Sequence, residues 1–288
     1  MSSGIQPNSP PSALEPAVPI HGPAHLSPQE RPAGEFIDPD RILLPGDPAI
    51  PNCDILITED DTPVDNLLSE KQMRLLAEPL HTSWKPGRPF VAMANVGLFH
   101  LFPGSAIVPD MLLSMDVTIP QDPGPKQNRS YFMWMYGKPP EVVVEIVSNK
   151  VGGEDSSKLE IYQTIRITNY IIFDPLLQLS DRLLKRFELR GTEYHLIDDP
   201  ESALVGVDLK PVLWTGPFED MGATWMRWAD LQGTIIATGA EAAARESQRA
   251  DQEAARANQE TLRADASQAR IAALEAMLRD QGRDLPPI

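Results

Sequence analysis

A single cysteine, Cys53, stands among the 288 residues. That excludes an intramolecular disulfide and any zinc site built on cysteines, and it fits a reducing, cytoplasmic setting. No stretch approaches the roughly 20 apolar residues of a membrane span. The opening MSSGIQPNSPPSALEPAVPI has neither a basic start nor an apolar block, so neither a secretory leader nor a membrane partner is expected. Basic residues are also scarce, with 25 Lys and Arg against 41 Asp and Glu, a net charge of −16. Neutralising phosphates supplies much of the affinity for nucleic acid, so this charge weighs against a general polyanion binder. It does not weigh against a local site, because a carboxylate metal centre brings acid of its own.

What the chain has in quantity is proline, 29 residues in all, crowded toward the start. Residues 1–50 are rich in Pro, Ser and Gly and read as a disordered arm. The other reading is an extended segment anchored by Phe36, Ile37 and Ile42–Leu44. Residues 51–238 read as one folded domain. A helix is expected from Val64 to Leu80, with Leu67, Leu68, Leu75 and Leu76 at helical spacing and Pro79 closing it. Apolar runs of strand length follow at Pro89–Met93, Val96–Phe102 and Ala106–Met115, and residues 120–131 read as a loop.

Glu141-Val-Val-Val-Glu-Ile-Val-Ser148 is the clearest strand. It is β-branched and apolar on both faces, as a central strand covered on both sides must be. A Gly-Gly loop leads to a helix over 156–167, with Asp155 or Ser156 as N-cap, and then to a second apolar strand, Tyr170–Asp174. Strand, helix and strand in about 30 residues form a βαβ unit, so the fold class is α/β. Strands are also expected at Leu184–Leu189, Glu193–Ile197 and Thr224–Trp228. From Gly239 to Asp280 the composition turns to Ala, Glu, Arg and Gln. This predicts a long helix, with 239–282 as a coiled-coil region that makes a homo-oligomer, or else a single solvated helix. Residues 283–288 form a flexible tail.

Side chains alternate across a strand, which puts Glu145 on a face with Val143 and Val147. A carboxylate there is costly unless a metal, a cation or hydrogen bonds compensate it. Asp110 poses the same problem inside Ile107-Val-Pro-Asp-Met-Leu-Leu113. Two acids on neighbouring strands suit a hard divalent cation with oxygen ligands, and Lys158, about one turn into the next helix, could reach the same place. Asp, Glu and Lys together suit metal-assisted phosphodiester hydrolysis. The plainer reading, of equal weight on spacing alone, is a buried Glu145–Lys158 ion pair that fixes helix on strand.

Val-Pro-Asp110, Pro-Pro-Glu-Val-Val-Val-Glu145-Ile-Val-Ser148, Asp155-Ser-Ser-Lys158-Leu-Glu-Ile-Tyr162 and Asn-Tyr170-Ile-Ile-Phe-Asp174-Pro175, in that order and spacing, resemble the Uma2 family of restriction endonucleases in the PD-(D/E)XK nuclease superfamily. The resemblance extends from about residue 53 to the C-terminus, Trp225–Trp228 and the charged tail included. It implies a restriction-endonuclease-like mixed sheet flanked by helices. It also implies an Mg²⁺- or Mn²⁺-dependent endonuclease acting on nucleic acid, DNA first, with Asp110 and Glu145 as metal ligands. The superfamily often places lysine two residues after the glutamate, where this chain has Val147, so the resemblance implies that Lys158 supplies it. The first-helix acid has Asp65 and Glu70 as candidates, and Ser148 could hydrogen-bond near the metal or cap the strand end. Asn149-Lys150 departs from the more usual Ser-Pro continuation.

The remaining candidates carry plainer expectations. His81, His100 and His195 are read as structural, Tyr162 and Tyr170 as packing between helix and sheet, and Asp174 as a turn former. Trp214, Trp225 and Trp228 are read as core or edge packing rather than base stacking. The alternative to an enzyme is a catalytically silent nuclease fold that acts as a scaffold through its long helix.

Overall fold

The computed structural model describes residues 66–148, 154 and 156–280. The expected arm, Asp65 and the tail after 280 lie outside these residues. Helix α1 (Leu67–Thr82) starts at Asn66, whose side chain accepts the Ser69 N–H at 2.9 Å, a standard N-cap contact. Pro79 does not close the helix. The Ser83 N–H still reaches the Pro79 carbonyl at 2.9 Å, and the extra turn buries Leu80 completely. Proline removes one helical hydrogen bond near the end of the helix, and burial of Leu80 offsets that loss.

Strands β1 (Phe90–Ala94), β3 (Met111–Met115), β5 (Val142–Ile146), β6 (Asn169–Phe173), β7 (Leu184–Arg190) and β8 (Glu193–Leu196) form a six-stranded sheet in the order β1-β3-β5-β6-β7-β8. β5 and β6 are parallel and the other pairs antiparallel. The sheet is therefore mixed and the class α/β, as the sequence implies. The parallel pair is the βαβ unit, joined by α3 (Ser157–Thr164), and β5 lies in the middle of the sheet with all five residues buried.

The two faces of β5 serve two cores. Val142, Val144 and Ile146 face α1 through Met73, Leu76 and Leu80, with Met226 and Trp228 beside them. Val143 and Val147 face α3 through Tyr162, with Leu112, Tyr170 and Ile172. Glu145 belongs to the second face by alternation.

β2 (Leu98–Phe99) falls within the expected run Val96–Phe102 and pairs in parallel with β4 (Tyr131–Phe132). β4 and α2 (Met133–Tyr136), a single turn after it, escape the sequence reading. β9 (Lys210–Phe218) escapes it too. It pairs with β10 (Met221–Ala229) in a two-stranded hairpin. Pro211, Gly216 and Pro217 hide β9 in the sequence, but a strand without a second neighbour tolerates missing donors. The hairpin turn, Glu219-Asp220, has positive φ at both residues, 45° and 64°, the backbone a tight hairpin demands. Lys71 and Arg74 on α1 hold Glu219 there, Lys71 at 2.7 Å.

Helix α4 (Gly239–Asp280) is 42 residues long. Thr238 and Glu241 cap it reciprocally: the Thr238 N–H donates to Glu241 Oε2 at 2.9 Å, and the Glu241 N–H donates to Thr238 Oγ1 at 3.1 Å. That is the Thr-x-x-Glu capping box. Arg227 on β10 donates to both Glu241 oxygens at 2.8 and 2.6 Å. Gly239 donates to Glu78 Oε1 at 2.9 Å, and a Cβ there would stand 2.7 Å from that oxygen, so a larger residue would push the Glu78 carboxylate aside. Beyond this root every residue from Ala243 to Leu274 is exposed. At about 1.5 Å per residue the helix runs roughly 60 Å.

Candidate active site

The register of β3 against β5 pairs Met111 with Val144 and Leu112 with Val143. Continued by one residue, it sets Asp110 opposite Glu145. By alternation both side chains then share the α3 face, and the charge of Asp110 acts on Glu145. Asp110 Oδ2 accepts the Ile146 N–H at 2.6 Å, which ties the first acid to the backbone just after the second. Glu145 is 1 % exposed.

Helix α3 delivers two donors to that carboxylate. Lys158 Nζ donates to Glu145 Oε2 at 2.8 Å, and the Tyr162 hydroxyl donates to Oε1 at 2.6 Å. Residues four apart on a helix lie one above the other, so one turn clamps both oxygens. Burial, reinforced by the charge of Asp110, drives the Glu145 carboxyl well above the usual carboxylate range, while Lys158 and Tyr162 oppose the rise. For Lys158, burial works downward, but the charge and hydrogen bond of Glu145 together with the charges of Glu154 and Asp110 outweigh it, and its pKa is raised. The 2.8 Å contact explains why the lysine gains. The upward push on Glu145 shows that the local positive charge does not fully offset burial. Burial also keeps the Tyr162 hydroxyl protonated far above its ordinary range, so it remains a donor.

The third carboxylate was not singled out in the sequence. Glu154 is 5 % exposed, and its Oε1 lies 3.7 Å from Lys158 Nζ. Its backbone carbonyl accepts the Tyr170 hydroxyl at 2.7 Å. Glu154 lies in the turn before α3, where no periodic pattern in the sequence marks it.

The structure thus brings Asp110, Glu145 and Lys158 together. It does not bring Glu70 to them. Glu70 is on α1, against the opposite face of the sheet, and its carboxylate pairs with Arg74 at 2.5 Å near the surface. Ser148 lies two residues beyond the end of β5, and its carbonyl accepts Gln178 Nε2 at 3.0 Å. Asp174 is a turn former, accepting the N–H groups of Gln178 and Leu179 at 2.8 and 2.7 Å. Tyr162 packs in the core as expected and also touches the candidate site, which packing alone did not anticipate. Trp225 and Trp228 are fully buried.

Asp110 and Glu145 provide oxygen donors, the chemistry a hard divalent cation takes, at a place where buried negative charge is incompletely offset. On those grounds the residues fit such an ion. Among the described residues no three His, Cys, Asp or Glu side chains cluster at metal-ligand spacing, so water and substrate would complete the shell. Surface hollows lie elsewhere, one of about 510 Å³ at the root of α4 beside Thr82, Arg245 and Arg249 and one of about 430 Å³ beside His81, Trp84 and Arg88. Neither is lined by the acidic pair.

A mixed sheet with an acid pair across its central strands and a helix-borne lysine defines a restriction-endonuclease-like protein. The sequence profile of the Uma2 family, described as "Putative restriction endonuclease", matches residues 60–211, more than half of the chain, and the chain belongs to that family. The match covers α1 through the first residues of β9 and ends before β10 and α4. No curated protein matches the chain. Among the described residues no helix is long and apolar enough to cross a membrane.

Proposed function

We propose that the protein is an endonuclease that hydrolyses phosphodiester bonds of nucleic acid, DNA in the first instance, with Mg²⁺ or Mn²⁺ held by Asp110 and Glu145. The observation that carries this reading is the opposition of those two acids across β3 and β5, with Lys158 on Glu145. When bound, such a cation would supply Lewis-acid polarisation of a phosphoryl oxygen and a water of lowered pKa, with Asp110 and Glu145 as the residues that would hold it. Asp110 keeps its place through the Ile146 N–H, and Tyr162 fixes the rotamer of Glu145. Lys158, 27 % exposed at its side chain, can turn its ammonium toward charge that develops on the scissile phosphate. The lone cysteine is consistent with work in a reducing cytoplasm.

The test is nicking of supercoiled plasmid at low salt with Mg²⁺, Mn²⁺ or EDTA, beside calorimetric titration of each metal. Cutting that needs the metal is expected. A folded protein that neither binds metal nor cuts would instead support a silent scaffold, the reading that a charge of −16 favours.

Helix α4 carries the proposal of a homo-oligomer. Its exposed Leu262, Ile271, Leu274 and Met277 have no cover among the described residues, and a long helix is marginal in water without packing. Its arginines are interspersed with acids, which suits pairing with a like helix better than reading DNA. Sedimentation velocity should give a dimer or larger species for the native chain and a shift toward monomer for Leu274→Glu. A monomeric native chain at tens of micromolar would rule the assembly out.

A further inference from the structure

Glu154 Oε2 is buried without a hydrogen-bond partner, the one carboxylate oxygen in that condition among the described residues. An unsatisfied buried polar atom demands a reason. The neighbouring Oε1 stands 3.7 Å from Lys158 Nζ, outside hydrogen-bond reach, while the same ammonium holds Glu145 at 2.8 Å. Lys158 therefore sits between two carboxylates, bonded to one and poised beside the other. An ammonium has three donors, and the flexible four-carbon stem of lysine lets it turn from one acid to the other without backbone change.

We propose that Glu154 is a positioning residue, the carboxylate that takes the Lys158 ammonium when Glu145 is engaged by a cation. The inference rests on the metal-site reading above. A cation on Glu145 displaces a like charge from the same oxygen, and Lys158 needs a second acceptor to stay in the site rather than swing into solvent. Glu154 is that acceptor. It lowers the cost of freeing Glu145 and leaves the ammonium beside the place where substrate charge develops.

The experiment is a double-mutant cycle read by Mn²⁺ affinity in calorimetry, on the wild type, Glu154→Gln, Lys158→Met and the double variant. Far-UV circular dichroism checks the folding of each. Glu154→Asp, which withdraws the carboxylate from Lys158 but keeps the charge, is the second variant should Glu154→Gln fail to fold. Glu154→Gln should weaken Mn²⁺ binding about tenfold or more, the scale on which charged oxygen groups tune such sites, and Glu154→Asp should weaken it as well. The loss should shrink in the Lys158→Met background, because no ammonium is left to relocate, and the cycle should show that coupling. Direct attraction between Glu154 and the cation predicts the reverse, a loss that grows once the lysine no longer neutralises Glu154, and that result overturns the inference. So does an unchanged affinity in Glu154→Gln, which would make Glu154 a structural counter-charge only. If the wild type itself binds no Mn²⁺, the metal-site reading fails first, and that outcome is distinct from the other two.

Discussion

Glu145→Gln should abolish metal binding and metal-dependent cleavage while leaving the fold in place. Loss of one anionic ligand removes several kcal/mol of charge stabilisation, which at ~1.36 kcal/mol per decade means a rate about 10³-fold lower or less. Stability should move little, within about 1 kcal/mol. Glutamine keeps an oxygen for Lys158 and turns its amide toward the Tyr162 oxygen, and it removes the cost of burying a charge. Asp110→Asn should match the effect on activity. Plasmid nicking, calorimetry and a thermal melt on the same preparations read all three quantities. Retained cutting in Glu145→Gln would place the chemistry elsewhere. A large loss of stability with no metal binding in the wild type would mean that Glu145 and Lys158 are a structural pair.

The second large effect concerns stability alone. Gln72 on α1 is fully buried and pairs with the backbone of β10 as another strand would. Its Nε2 donates to the Met226 carbonyl at 2.7 Å, and its Oε1 accepts the Met226 N–H at 3.1 Å. Gln72→Leu conserves volume but leaves both backbone groups buried and unpaired. At about 1–3 kcal/mol for each, the substitution should cost about 2–5 kcal/mol, a large share of a typical domain's stability. Urea unfolding should show a lower midpoint with an unchanged slope. A loss below about 1 kcal/mol would show that water reaches Met226. Nothing in the helical pattern around Gln72 announces this contact, because a glutamine on a helix is ordinarily a solvated residue.

That contrast holds along the chain. Glu145 was legible because a carboxylate in the run Val142–Val147 violates the pattern around it, and such local violations are where function or strain is found. β5 and β6 were legible as continuous β-branched apolar runs, α3 as the segment that links them, and α4 by the composition that changes at its own first residue. β9 was not, since two prolines and a glycine read as a turn until a partner strand supplies the other half of its ladder. Glu70 looked as good a first-helix acid as any, and the packing of α1 on the far side of the sheet removed it from the site.

The sequence by itself determined the α/β class, the central strand and the carboxylate buried within it, because each follows from the side-chain pattern and from the cost of burying charge. It could not determine that Asp110 stands opposite Glu145, that Tyr162 and Lys158 each take one oxygen of the same carboxylate, or that Glu154 waits beside them with an oxygen unpaired. Those facts depend on the register between strands distant in sequence and on the face α3 turns to the sheet. Both are set by how the two cores pack, and no local pattern encodes them.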